Sequence, residues 1–123
     1  MATIKIAVPT EESGIDAKIC PHFGHAKMFV LVDVDDQTKE IKKVDKLVNP
    51  PHEQGGCIRP VMLLKDQGIT AIILTGIGGR PLMGFIQNNV LVFQGIDGTV
   101  SQNITAMLEK KLPQVTQSLC NHH

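Results

Sequence analysis

Residues 18 to 27 read KICPHFGHAK and set Cys20, His22 and His25 within six positions, with Pro21 and Gly24 among them. Thiolate and imidazole are ligands for zinc, copper and iron. The spacing is not a standard C-x-x-C or C-x-x-H pair. It leaves three chemistries open: a metal site, a reactive thiol, or a Gly-Pro turn holding a buried cysteine and a backbone-bonded histidine. A second breaker-rich stretch, NPPHEQGG (49–56), carries His52 and leads to Cys57. Cys57 opens a helical segment, where the helix dipole favours a thiolate. The plainer alternative for Cys57 is a small apolar residue packed in the first turn.

A third feature is GIGGR, with Gly76, Gly78, Gly79 and Arg80 between a strand-like and a helix-like segment. Backbone N–H groups at such a junction can face an anion, and Arg80 adds charge. The stretch is neither a full G-x-G-x-x-G nor a Walker loop, because no Lys-Ser/Thr follows. It suits some anion, an anionic metal–sulfide cluster included. The alternative is a tight turn needing positive φ angles. The closing CNHH also carries ligand types, and reads equally as a metal-binding terminus or a tag remnant. No Ser-His-Asp set is present. Glu11, Glu12, Asp16, Glu53 and Asp97 show no spacing that marks an acid/base pair.

These residues need elements to position them. TIKIAVP (3–9) alternates Ile4, Ile6 and Val8 and is a strand. Residues 10–27 form a long polar loop, of a length often tied to function. MFVLVDV (28–34) and residues 40–48 are two more strands, joined by a short turn at 35–39 as an antiparallel hairpin. Residues 57–68 read as a helix, with Pro60 in its first turn and Gly68 as its stop. ITAIILT (69–75) is apolar throughout, hence a strand buried on both faces. A short helix at 80–89 begins with Pro81, a strand follows at 90–95, and a last helix covers 100–112. That helix is capped at Thr99 or Ser101, and Thr99 with Gln102 fits a capping box. One domain is expected over 1–112, with a flexible tail over 113–123.

The order β-β-β-α-β-α-β-α predicts a mixed sheet with helices packed on it. With strand one pointing up, the loops at 10–27, 49–56, 76–79 and 95–98 all emerge at the top. Cys20, His22, His25, His52, Cys57 and Arg80 then share one edge, outside the carboxyl ends of parallel strands where α/β sheets bind ligands. Asp33, Asp35 and Asp36 fall at the opposite end.

Composition narrows the classes. The 123 residues suit a single domain, and 42% hydrophobic content argues against disorder. Without Trp or Tyr, and with only four Phe, the core is aliphatic. Twelve basic and twelve acidic residues cancel, which argues against a nucleic-acid binder. No apolar run reaches the roughly 18 residues of a membrane span, and the start of the chain shows no secretory pattern. A cytoplasmic protein is expected. There the three cysteines, Cys20, Cys57 and Cys120, are not expected to form disulfides.

The IAVPT strand, PHFGHAKMFVLVDVD, GGCIRPVMLLKDQGITAIILTGIGGRPL and the later VLVFQG…GTVSQNI together resemble the dinitrogenase iron–molybdenum cofactor biosynthesis family. That family includes NifX-like proteins, the C-terminal domain of NifB, and stand-alone proteins. Among the last is the orange-protein branch of sulfate-reducing bacteria, with its molybdenum–copper–sulfide cluster. The likeness covers about residues 3–110, most specifically His22-Phe23-Gly24 and Gly76, Gly78, Gly79. It implies a ribonuclease H-like three-layer α/β fold with a mixed five-stranded sheet. It also implies non-catalytic binding, carrying or storing of a cluster of molybdenum, iron or copper with sulfide, or of its precursor. Cluster-assembly proteins and an ATPase are the partners implied. Members commonly carry a basic residue where His25 stands, so His25 also reads as a replacement charge. Strand one offers no catalytic aspartate, so a two-metal nuclease is not expected.

Cys20, His22, His25 and Cys57 are accordingly the candidate metal ligands. Phe23, Gly24, His52 and the Gly76–Arg80 turn complete the candidate cofactor rim, with Met83, Ile77 and Phe23 as apolar shielding. Three other readings stay open: a mononuclear zinc or copper binder, a small-anion or nucleotide-responsive regulatory module, and a redox enzyme using Cys20.

Overall fold

The structure, a computed structural model, describes residues 3–21, 23, 26–49, 58–76 and 79–115. Alternating and continuous apolar stretches become five strands. These are β1 (Thr3–Thr10), β2 (Met28–Asp35), β3 (Ile41–Val48), β4 (Ala71–Leu74) and β5 (Leu91–Gln94). Three helices complete the expected order: α1 (Ile58–Asp66), α2 (Gly79–Gln87) and α3 (Val100–Leu108). The strands form one mixed sheet in the order β3-β2-β1-β4-β5. β1 and β2 are antiparallel, as are β2 and β3, whereas β1, β4 and β5 run parallel.

Period-two alternation sorts the sheet residues into two cores. Ala7, Leu31, Ile72 and Leu74 pack with Val61 and Leu64 of α1 and Leu82 and Phe85 of α2. Ile6, Val8, Val32 and Ile73 pack with Val100 and Ile104 of α3 on the other face. Each fully buried aliphatic or Phe side chain contributes about 1.5–3 kcal/mol. All four β4 residues are buried, as a central strand covered on both faces requires. β3 is one edge of the sheet and is exposed along nearly its whole length. Its lysines, Lys42, Lys43 and Lys46, guard that edge against further pairing.

The helices are shorter at their ends than the sequence suggests. α1 stops at Asp66, with Gly68 at φ 78 just beyond. α3 stops at Leu108 because Lys110 takes a left-handed conformation, φ 61, and the Lys111 N–H bonds the Ala106 carbonyl at 2.8 Å. Helix α2 starts at Gly79, so Pro81 is its third residue rather than its first. The first turn needs no N–H there, so a proline still fits. Thr99 is the cap of α3. Its side chain accepts from the Gln102 N–H at 3.1 Å, and Gln102 Oε1 accepts from the Thr99 N–H at 2.9 Å.

Past α3 the chain lies against β5. Gln114 bridges Phe93 in antiparallel fashion, the Val115 N–H bonds the Val92 carbonyl at 2.7 Å, and Val115 is buried in the α1/α2 core. Among the described residues no helix is long and apolar enough to cross a membrane.

Candidate functional site

The parallel strands β1, β4 and β5 end together at one edge of the sheet. The chains leaving β4 and β5 part there, one to α2 on one face and the other to α3 on the opposite face. Such a divergence opens a crevice at the carboxyl ends.

The long connection between β1 and β2 is stitched across this edge. The Ile19 N–H bonds the Gly98 carbonyl at 2.9 Å, and the Val100 N–H bonds the Ala17 carbonyl at 2.8 Å. Isolated bridges join Lys18 to Thr99 and Ile19 to Thr10. The Cys20 N–H bonds the Pro9 carbonyl at 2.7 Å. On its far side the connection is fixed by Phe23, which is buried. The Phe23 ring packs tilted on Phe29 at 5.4 Å and edge-on to Phe85 at 5.5 Å. Phe23 thus anchors the connection to the α1/α2 core, while Met83 on α2 is exposed.

Cys20 is placed by this stitching as a buried thiol at the rim. Its Sγ lies 3.5 Å from Glu11 Oε2, within reach of a thiol donating to a carboxylate. The glycine turn comes directly against the same segment. A Cβ on Gly76 would stand only 2.8 Å from the Pro21 carbonyl oxygen, so the two backbones touch where any side chain would intrude. The Cys20 connection and the glycine turn, far apart in sequence, therefore share one rim. The chain leaving β3 starts beside it: the Asn49 N–H bonds the Lys27 carbonyl at 3.0 Å, and Asn49 Nδ2 bonds the Ala26 carbonyl at 2.7 Å.

Of the candidate residues, Cys20, Phe23 and Gly76 are described in full, and Gly79 and Arg80 as the first residues of α2. His22, Gly24, His25, His52, Cys57 and Gly78 lie outside the described residues, as does Ile77. Among the described residues no group of three or more His, Cys, Asp or Glu stands close enough to hold a metal ion. Two features of the rim escape sequence reasoning. One is Glu11 as the neighbour of the Cys20 thiol. The other is Thr75, between β4 and Gly76, whose hydroxyl oxygen is enclosed and has no hydrogen-bond partner among the described residues.

The described part of the rim thus brings together a thiol, a close backbone approach that only glycine allows, and an enclosed hydroxyl without a partner among the described residues. Among the described residues no ring of carboxylates such as a hard cation requires is present.

The family model described as dinitrogenase iron-molybdenum cofactor matches residues 3–110. The chain is similar to the uncharacterized protein MJ0580 of Methanocaldococcus jannaschii, 27% identical over 111 residues and covering 89% of each chain. Its fold is similar to the crystal structure of PH0822, with a TM-score of 0.77 and 28% identity, over 92% of this chain and 97% of that one. It is also similar to the apo form of the orange protein of Desulfovibrio gigas, with a TM-score of 0.79 and 24% identity, over 92% and 93% of the two chains.

Proposed function

Because this chain belongs to the dinitrogenase iron–molybdenum cofactor family, we propose that it binds and carries a metal–sulfide cluster, or a precursor of one, as cargo and without catalysing a reaction on it. The observation that carries this reading is the meeting of Pro21 and Gly76, which joins the Cys20 connection to the glycine turn in one rim. Cys20 supplies a soft donor, and the proposed further ligands are His22, His25 and Cys57. Gly24 and His52 belong to the same proposed rim, and Phe23 holds the Cys20 connection in place. Gly76, Gly78, Gly79 and Arg80 are the residues proposed to offer N–H groups and a cation to the cluster's negative charge. The cargo is of molybdenum–copper–sulfide, iron–sulfide or iron–molybdenum–sulfide type. Cluster-assembly proteins, an ATPase among them, are the proposed partners in the cytoplasm.

The test is reconstitution of the purified protein with tetrathiomolybdate and copper, or with iron and sulfide, followed by gel filtration. The chain has no Trp or Tyr, so sulfide-to-metal charge-transfer bands stand on a nearly empty near-ultraviolet background. Coloured protein retaining metal and acid-labile sulfide is the expected result. Colourless protein retaining no metal would overturn the proposal. One metal per chain without labile sulfide would replace it with a mononuclear copper or zinc site.

A further inference from the structure

Thr75 is a half-buried residue whose enclosed hydroxyl breaks a rule that the buried polar side chains obey. Thr10 Oγ1 donates to the Glu12 carbonyl at 2.6 Å. Asp35 Oδ1 accepts from the Gln37 and Thr38 N–H groups at 2.8 and 3.1 Å. The Asn103 side chain makes three hydrogen bonds to the 96–99 backbone. Thr75 Oγ1 is enclosed and makes none among the described residues. An enclosed hydroxyl with no partner is destabilising, and native proteins keep such departures mainly at functional sites. Packing alone gives no reason for the hydroxyl, since valine has the same branched shape without it.

Its position supports this. Carried one residue past β4, the alternation puts Thr75 on the face of Ile73, in whose core Ala17 and Ile19 of the long connection are packed. The next residue, Gly76, is the one that touches the Pro21 carbonyl beside Cys20. The unsatisfied hydroxyl is therefore adjacent in the chain to the contact that joins the two halves of the rim.

We infer that the Thr75 hydroxyl is a cargo-binding group, donating a hydrogen bond to a sulfide or oxo atom of the anionic cluster. This rests on the cluster-carrying reading above. A hydroxyl suits the role: it is a neutral donor that satisfies an anionic sulfur or oxygen atom without competing for the metal as a charged ligand would. It favours sulfide- or oxo-bearing anions over bare cations.

The test uses the full chain, tetrathiomolybdate as the probe, and three variants. Thr75→Val removes the hydroxyl and keeps the shape, Thr75→Ala removes it without adding a methyl, and Thr75→Ser keeps it. Affinity is read by equilibrium dialysis, and the stability of cargo-free protein by thermal unfolding. The expected result is about tenfold weaker binding for the valine and alanine variants, with serine close to wild type. The valine variant is expected to unfold at a temperature no lower than wild type. Wild-type affinity in the valine and alanine variants would overturn the inference while leaving the cluster-carrying reading intact. So would a lower unfolding temperature for valine, because the hydroxyl would then be bonded within the protein. Failure of wild-type protein to retain tetrathiomolybdate would overturn this inference, and the cluster-carrying reading falls with it only where reconstitution with copper present, and with iron and sulfide, leaves the protein colourless as well.

Discussion

Substituting Gly76 with alanine probes the rim most directly. A Cβ there would lie 2.8 Å from the Pro21 carbonyl oxygen, against 3.4 Å or more for an ordinary contact. Both sides of the contact are backbone, so no flexible side-chain end can swing away, and the gap must open by roughly 0.6 Å. Overpacking of this kind costs about 1–3 kcal/mol. For a domain of this size that corresponds to a fall in Tm on the order of 3–15 °C. The displaced group neighbours Cys20, and binding sites tolerate only about 0.5 Å of such displacement, so cargo affinity should fall at least about tenfold. Gly68→Ala is the matched control. Its φ of 78 is strained for alanine, yet nothing lies within 4 Å of the added Cβ, and it sits beyond α1 at the far edge of the sheet. The left-handed strain costs about 1–2 kcal/mol, so stability should fall comparably while binding holds. Thermal unfolding and a tetrathiomolybdate titration, run on both variants, decide the matter. Gly76→Ala with wild-type Tm would refute the packing reasoning. Gly76→Ala with lowered Tm but wild-type binding would refute the placement of the cargo at this contact.

Two other substitutions test the supports of the rim, and a third tests the turn at the opposite end of the sheet. Asn103 is fully buried, accepts from the Ile96 N–H at 2.8 Å and donates to the Ile96 and Thr99 carbonyls at 3.1 and 2.9 Å. Asn103→Ala strands those groups and should cost about 2–4 kcal/mol in urea unfolding, against under about 1 if water replaces the amide freely. Phe23→Ala should cost about 3–5 kcal/mol by the same measurement, because the ring lies between Phe29 and Phe85 in the core. A cost under about 1 kcal/mol would mean that the ring is a surface lid. Asp35 is held below the usual carboxylate range by the Gln37 N–H and then the Thr38 N–H, with burial opposing and Lys42 assisting. A lowered folded-state pKa means that this stabilisation is complete above the unfolded-state value of about 4 and is lost as pH falls through the folded value. Asp35→Asn should therefore lower Tm at pH 7, with the difference from wild type shrinking on acidification. A difference that does not change with pH would rule out the carboxylate as its source.

The parts of this molecule legible in its sequence are those set by local periodicity. Ile4, Ile6 and Val8 announce β1, the unbroken apolar run announces β4, and Thr99 with Gln102 announces the start of α3. Connectivity then carries the reading further than any motif, since the directions of five strands suffice to bring the Cys20 connection and the glycine turn to one edge. What stays hidden is whatever depends on the path of irregular chain. Lys110 ends α3 in a left-handed conformation without a glycine to signal it. Residues 113–115 join β5 with no apolar alternation to mark a strand. Glu11 reaches the Cys20 thiol only because the connection doubles back on Pro9 and Thr10, and no spacing rule encodes that return. Thr75 looks like one more strand-forming residue until every enclosed oxygen is matched to a partner. The chemistry of the rim is thus written across the fold rather than along the chain. Cys20 and Gly76 each have an ordinary explanation alone, and it is the backbone contact between their segments that makes a binding rim the more economical reading.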